Sequence, residues 1–427
     1  MTISRRALLG TAAGLGAAGA LSACGSNTGR GGGGSGGGQG SGPELAQWYH
    51  QYGEPGTEQA VRRYAAAYKK ARVTVQWRPG NYDQQTAAAL LTPGGPDVFE
   101  VNGPTLDQIR GGQVVDLTDL FDGPGVKDDF NAAVLAPKTY EGKIWSVPQV
   151  VDMQLLFYRK SLLKAANVRP PQTLDELVDA ARALTNKTTK GLFLGNDGGV
   201  GAIGGTPLYA AGLSLVTEDG KVGFDDPAAA RALGKLRQLY ADKSLLLGAP
   251  TDWSDPSAFV QGLTAMQWSG LWALPAVRKT LGDDFGVLPF PEDGAGGRPS
   301  VPVGAYGAAV GARSKQQAAA KEFVKWLWIE QADLQNDFAL SYGFHIPART
   351  SLAEKADKLK EGAAADAVRY AGEHAYAQPL LWTPASATAY QDALSRIIKD
   401  GANPDTELKA VVRKAGEELQ RVKKKSS

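Results

Sequence analysis

Cysteine is almost missing from this chain: there is one in 427 residues, and histidine and methionine number three each. A single cysteine cannot close an internal disulfide. Three scattered histidines (His50, His345 and His374) without ligand-type neighbours cannot build a structural zinc site. No metal and no cofactor is therefore expected. Beyond the N-terminus no apolar run reaches the roughly 20 residues that a membrane-spanning helix needs. The 53 glycines show no three-residue period, which excludes a collagen-like chain. Neither sign of charge dominates, with 46 Lys+Arg against 44 Asp+Glu and a net +2. Residues 1–42 hold Arg5, Arg6 and Arg30 and no acid, so their +3 leaves about −1 for the rest. Such a body lacks the electrostatic footprint of a nucleic-acid binder. What remains is ordinary globular composition, 43% hydrophobic and 21% charged, long enough for two or three domain-sized units.

The N-terminus is not fold. Ser4-Arg5-Arg6 opens a basic stretch, small and apolar residues run to Ala20, and Leu21-Ser22-Ala23-Cys24 follows. This is the layout of a secretory signal peptide. The last four residues resemble the bacterial lipobox, whose cysteine becomes a lipidated N-terminus. The paired arginines resemble an incomplete twin-arginine signal. Residues 25–42 contain 11 glycines among 18 positions and read as a flexible tether with a reach of roughly 20–25 Å. The order is anchor, tether, body: residues 1–23 as signal peptide and 24–42 as lipidated cysteine and tether.

The body alternates strand and helix signals. Leu45-Ala46-Gln47-Trp48-Tyr49 reads as a strand, residues 57–71 as an amphipathic helix, and residues 72–77 and 96–99 as further strands. That βαβ order predicts an α/β architecture with parallel pairing. Residues 142–148 read as one strand ending at proline. Thr173-Leu174-Asp175-Glu176 fits a capping box, and Asp226-Pro227 fits an N-cap followed by proline.

Catalytic signatures are thin. Gly199-Val200-Gly201-Ala202-Ile203-Gly204 matches the dinucleotide fingerprint, but it lies mid-chain, outside a first βα turn. A flexible loop near a cleft is the better reading. Ser161-Leu162-Leu163-Lys164 matches S-x-x-K without its companion motifs, which points to chance. A paired-carboxylate glycosidase stays open, because such pairs meet in space rather than in sequence.

Aromatic usage says more. Nine tryptophans and fourteen tyrosines occur, many where elements end. Sugar rings present apolar C–H faces and a rim of hydroxyls, so a site for them combines aromatic faces with carboxylate or amide partners. Four stretches then appear in order. The first is Trp48-Tyr49-His50-Gln51-Tyr52-Gly53-Glu54-Pro55-Gly56. The second is Pro96-Asp97-Val98-Phe99-Glu100-Val101-Asn102 with Gly112-Gln113-Val114-Val115-Asp116-Leu117. The third runs from Gly142-Lys143-Ile144-Trp145-Ser146-Val147-Pro148 through Leu156-Phe157-Tyr158-Arg159-Lys160. The fourth is Phe259-Val260-Gln261-Gly262 with Gly270-Leu271-Trp272. Together they resemble the extracellular solute-binding proteins of sugar importers of the ATP-binding-cassette type, including the maltose-binding proteins. Arg159 before Lys160 and Leu263 after Gly262 depart from the family's usual residues. The glycine-rich residues 197–205 carry no aromatic where maltose-binding relatives place one.

The resemblance implies a periplasmic-binding-protein-like fold: two α/β lobes, a ligand cleft and several hinge crossings near residues 149–152, 286–289 and 342–346. Lobe 1 would comprise residues 43–150 with 287–343, and lobe 2 residues 151–286 with 344–427. It implies a monomer, not an enzyme, that takes a carbohydrate outside the cell, closes on it and is recognised by a membrane permease. Membrane attachment would be through lipid on Cys24, and no nucleic acid is involved. The ligand residues it implies are Trp48, His50 and Tyr52 after the first strand, Asn102 and Gly103 after the third, and Asp152 at the hinge. Trp268, Gly270 and Trp272 would form a second-lobe aromatic loop, Gly304 and Tyr306 another rim, and Tyr390 a late platform. The weight falls on Asp152, Trp272 and Trp48. A secreted glycan-acting enzyme, or a binder of a non-sugar solute such as a glycerol phosphate ester, is the alternative.

Overall fold

A computed structural model describes residues 42–424. Cys24, the signal-like segment and almost all of the tether fall outside the described residues, as do the last three residues of the chain. The strands begin with β1 (Glu44–His50), β2 (Arg72–Arg78) and β3 (Val98–Val101), then the pair β4 (Thr139–Tyr140) and β5 (Lys143–Ile144), and β6 (Val147–Pro148). The long β7 (Val150–Tyr158) is followed by β8 (Lys190–Phe193), β9 (Thr264–Gly270), β10 (Gly286–Leu288) and β11 (Val301–Gly304). The set closes with β12 (Gly307–Val310), β13 (Ile346–Pro347) and β14 (Ala375–Tyr376).

Two mixed sheets result. The first has the order β2-β1-β3-β12-β6, and the second β14-β11-β7-β9-β8 with β10 and β13 also paired to β7. In the first, β1 runs parallel to β2 and β3, the geometry a crossover helix imposes. That helix (Thr57–Ala67) buries Ala60, Val61 and Tyr64 at helical spacing. Both faces of this sheet are covered. Leu45 and Tyr49 enter a core with Tyr64, Phe323 and Trp328, whereas Trp48, one residue out of phase, enters a smaller core with Tyr82 and Phe99. The second sheet is likewise sandwiched. Met153, Leu155 and Phe157 face one cluster, and Leu156 faces another with Leu177, Leu236, Trp268 and Ile397. The terminal helix (Pro404–Lys424) closes that second cluster with Leu408, Val411, Ala415 and Leu419.

The stretch expected as one strand over residues 142–148 is broken. Glu141 and Gly142 both have positive φ (50° and 76°), the two-residue turn that suits a hairpin. β5 therefore pairs back to β4, and only β6 joins the first sheet. The capping box at Thr173 is half formed: its side chain accepts from the Glu176 N–H, while the Glu176 carboxylate accepts from Gln172 instead.

The chain passes between sheets at Gln149, where β6 gives way to β7, and at residues 305–306, where β11 gives way to β12. These two crossings run side by side, with the Gln149 N–H donating to the Tyr306 carbonyl at 3.1 Å. A third follows the helix Ala332–Leu340, whose Phe338 lies in the first-sheet core, and ends in β13 on β7. The crossing expected near residues 286–289 is corrected. β10 pairs with the far end of β7 (Gly286 opposite Tyr158), and Val287 is buried in the second sheet's core. Residues 287–304 accordingly belong with the second sheet.

The glycine-rich loop also departs from expectation. Asp197 accepts the N–H groups of Gly199 (3.0 Å) and Gly201 (2.7 Å), and Val200, Ala202 and Ile203 are buried in the second sheet's core. It is a packed turn that does not line the cleft. Ser161 is structural too: its hydroxyl donates to Asp284 at 2.6 Å.

Candidate ligand-binding cleft

Between the two sheets, beside the crossings, lies a cleft of about 1190 Å³. The first-sheet wall comes from the segments after β1 and β3. Asn102 and Gly103 sit just before the helix Leu106–Arg110, whose Thr105 and Gln108 form a full capping box. That box fixes the exit angle of the loop. On the β1 side, the His50 ring stacks on Tyr306 (centroids 4.1 Å apart, planes 21°) and lies 3.9 Å from the Tyr52 ring. Buried Glu100 anchors both from behind. It accepts from His50 N (3.1 Å), pairs with His50 Nδ1 (2.8 Å) and accepts from Tyr52 Oη (2.6 Å). Burial, then the nearby Glu100 charge, pushes the Tyr52 hydroxyl well above its ordinary pKa, so it stays protonated as a donor.

The opposite wall is indole. Trp272 Nε1 donates to the Ser254 carbonyl at 2.9 Å, and Trp253 meets it edge-on at 5.8 Å and 69°. At the floor, the buried Lys138 ammonium donates to the carbonyls of Asn102 (2.6 Å) and Ala305 (2.7 Å). Burial lowers its pKa to about 7. At the hinge, buried His345 stands between two carboxylates, with Nδ1 hydrogen-bonded to Asp152 and Nε2 3.3 Å from Glu54. Burial disfavours the imidazolium, but Asp152 and then Glu54 outweigh it and raise His345 to about 10. Burial likewise pushes Glu54 up, yet the His345 hydrogen bond and charge leave it below its ordinary value.

Of the residues singled out from sequence, His50, Tyr52, Asn102, Gly103, Asp152, Trp272, Gly304 and Tyr306 line this cleft. Four do not, and each has a packing reason. Trp48 lies within β1 rather than after it, pointing to the smaller core with the Arg78 guanidinium 3.7 Å over its ring. Trp268 has no exposed surface; it packs edge-on against Phe290, and its Nε1 donates to Gln154 at 3.0 Å. Tyr390 is buried against Phe224 and Trp382. Gly270 is buried beneath Trp272: a Cβ there would come within 1.9 Å of the indole ring, so the glycine makes room for the wall rather than for ligand.

Sequence reasoning missed Glu54, Lys138, Trp253 and His345, all of which line the cleft. Trp253 carried a signal, an aromatic set in the turn-rich Thr251-Asp252-Trp253-Ser254-Asp255-Pro256. His345 carried none, since its partner Asp152 is 193 residues away.

Residues 54–328 match the family described as bacterial extracellular solute-binding protein. The diacetylchitobiose-binding protein DasA of Streptomyces coelicolor is 27% identical over 360 residues, 80% of each chain. The maltodextrin-binding protein MdxE of Bacillus subtilis is 27% identical over 299 residues, 65% of this chain and 67% of its own. Among solved structures, the GacH receptor of Streptomyces glaucescens superposes with a TM-score of 0.72 at 26% identity, over 89% of this chain and 98% of that one. Maltose-bound MalE3 of T. maritima gives 0.74 at 22% identity, over 89% and 100%, and shares the fold. The two sandwiched sheets, the cleft beside their crossings and a family match over most of the chain agree, and this chain belongs to the bacterial extracellular solute-binding proteins, which bind solutes and are not enzymes.

Proposed function

We propose that this protein captures a sugar or short oligosaccharide outside the cell and delivers it to the permease of an ATP-binding-cassette importer. One observation carries the reading: the cleft sets aromatic faces on both walls, His50, Tyr52 and Tyr306 against Trp253 and Trp272, with Asp152 and Glu54 between them. Rings offer stacking surface to C–H faces, and carboxylates accept hydroxyl hydrogens. Relatives named for diacetylchitobiose, maltodextrin and galactooligosaccharide binding support the class without fixing the sugar.

The two sheets act as lobes, residues 43–148 with 307–343 and residues 150–304 with 344–424, that close on ligand. A ligand touching both lobes stabilises the closed form by its differential affinity. Cys24, lipidated after cleavage, holds the protein at the membrane as a monomer on its glycine-rich tether. A thermal-shift screen of the purified chain against mono- and oligosaccharides tests the reading, because a ligand bound only by the native state raises apparent stability. A shift of several degrees with a neutral sugar is expected. Stabilisation by peptides or phosphate esters alone contradicts it.

A further inference from the structure

We propose that His345 is a positioning residue: its imidazolium, clamped between Asp152 and Glu54, fixes one oxygen of each carboxylate and makes the hinge floor select neutral polyhydroxyl ligands over anionic ones. The inference rests on the sugar reading above and sharpens it.

Three segments far apart in the chain meet here. Asp152 comes from β7, Glu54 from the segment after β1, and His345 from the crossing that leads into β13. All three line the cleft, yet His345 is only 4% exposed, so its contacts are built into the fold rather than made by a mobile surface side chain. Nδ1 is hydrogen-bonded to Asp152 and Nε2 faces Glu54 Oε1 at 3.3 Å, an arrangement that suits a proton on each nitrogen. Its backbone is tied as well, with the His345 N–H donating to Ala339 at 3.0 Å. Gly343 leaves the space: a Cβ there would come 2.4 Å from His345 Nε2 and 3.0 Å from Glu54 Oε1.

The charge count gives the selectivity. One imidazolium between two carboxylates leaves a net negative charge at the hinge, and each carboxylate has a second oxygen beyond the one turned to the ring. A sugar hydroxyl can donate to such an oxygen, whereas a phosphate or uronate meets repulsion. Of the three Lys and Arg side chains that line the cleft, two are committed elsewhere, and Lys279 is exposed on the helix Leu274–Leu281. The Lys138 ammonium is spent on two carbonyls, and Arg421 is held by Glu418 at 2.6 and 2.8 Å. The other titratable groups around the clamp are Tyr52 and Tyr306, which feel the Asp152 charge, and His50, which acts on Glu54. Tyr342 borders the same part of the cleft.

With three histidines in the chain, nitrogen-15 spectra of the full-length protein can follow each imidazole across pH without any ligand. His345→Gln assigns the signal, and Asp152→Asn, Glu54→Gln and Gly343→Ala report on the clamp if that variant does not fold. The His345 ring should stay doubly protonated at pH 8 in wild type, and its midpoint should fall by more than one pH unit in Asp152→Asn and Gly343→Ala. An ordinary midpoint in wild type, or one unmoved in both variants, overturns the clamp. Calorimetry with maltotriose, N,N′-diacetylchitobiose, digalacturonate and glycerol 3-phosphate reads the selectivity. At least one neutral sugar should bind at least tenfold more tightly than either anion, and His345→Gln should weaken it about tenfold. An anion bound as tightly as the best neutral sugar overturns the selectivity. No heat with either neutral sugar counts against the sugar reading and the selectivity built on it, while the imidazole titration still judges the clamp on its own.

Discussion

At the scale of single residues, the cleft is held by contacts that do not themselves need to touch ligand. Gly270 shows this most sharply. Its extended backbone (φ −113°) suits any residue, but the Trp272 ring occupies the place of a Cβ. Gly270→Ala should therefore weaken sugar binding about as much as Trp272→Ala, by ~1 kcal/mol or more in each case. Calorimetry on the two variants checks this, and wild-type affinity in Gly270→Ala would refute the packing argument.

His345 and Lys138 make a second prediction, on stability against pH. His345 sits at about 10 in the fold against an ordinary 6.5, so its stabilisation is full below about 6.5 and is lost as pH rises through 10. Lys138 sits at about 7 against 10.5, so the unfolded chain holds a proton there that the fold lacks, and stability rises with pH across that interval. Each slope is at most about 1.4 kcal/mol per pH unit, and between pH 7 and 10 they oppose one another. Urea denaturation of the wild type should show a nearly flat contribution from this pair. Lys138→Met should expose a decline with rising pH, and His345→Gln a rise. Parallel curves for all three proteins would contradict the assignment.

At the scale of elements, much of the architecture was legible because its signals are local. The short apolar and aromatic run of β1, the spacing of Ala60, Val61 and Tyr64, and the proline opening the helix Pro227–Ala241 need no distant partner. Strand phase was not legible. When a sheet is covered on both faces, both phases are apolar, so nothing in Trp48 or Trp268 marks which side it takes. The family resemblance places both in the cleft, and both are core. The hinge failed for a related reason. The resemblance implies a crossing near residues 286–289, but Gly286–Leu288 form a strand, and only its pairing with β7 shows which sheet it joins. The β4–β5 hairpin gives this scale its prediction. Glu141 holds a positive φ (50°) that asparagine tolerates better before Gly142. Glu141→Asn should raise stability by about 1 kcal/mol, the order of the left-handed backbone cost that asparagine eases, as read by chemical denaturation. A loss would contradict the turn assignment.

At the scale of the whole molecule, the two sides of the cleft touch at its mouth. Arg110, at the end of a first-sheet helix, donates to the Val422 carbonyl on the terminal helix at 2.7 Å, and Arg421 approaches Asp107 at 3.4 Å. Leu380 packs against the core around Trp48 and Phe99. On the proposed reading of two lobes that close, these contacts would favour the closed form, and closure before ligand arrives would raise apparent affinity, because only the competent fraction binds tightly. Removing the Arg110 side chain should shift the ligand-free population toward open, seen as a larger radius of gyration by small-angle scattering. An unchanged radius would mean that the mouth contacts do not bias closure.

The central claim is that the aromatic walls and the hinge carboxylates form a sugar site. Titration calorimetry of the purified chain with N,N′-diacetylchitobiose, maltotriose and galactobiose, repeated on Trp272→Ala, tests it most directly. Saturable binding of at least one of these sugars by the wild type, weakened about tenfold or more in Trp272→Ala, is the predicted result. Binding of none of them, or an affinity that Trp272→Ala leaves untouched, would contradict it.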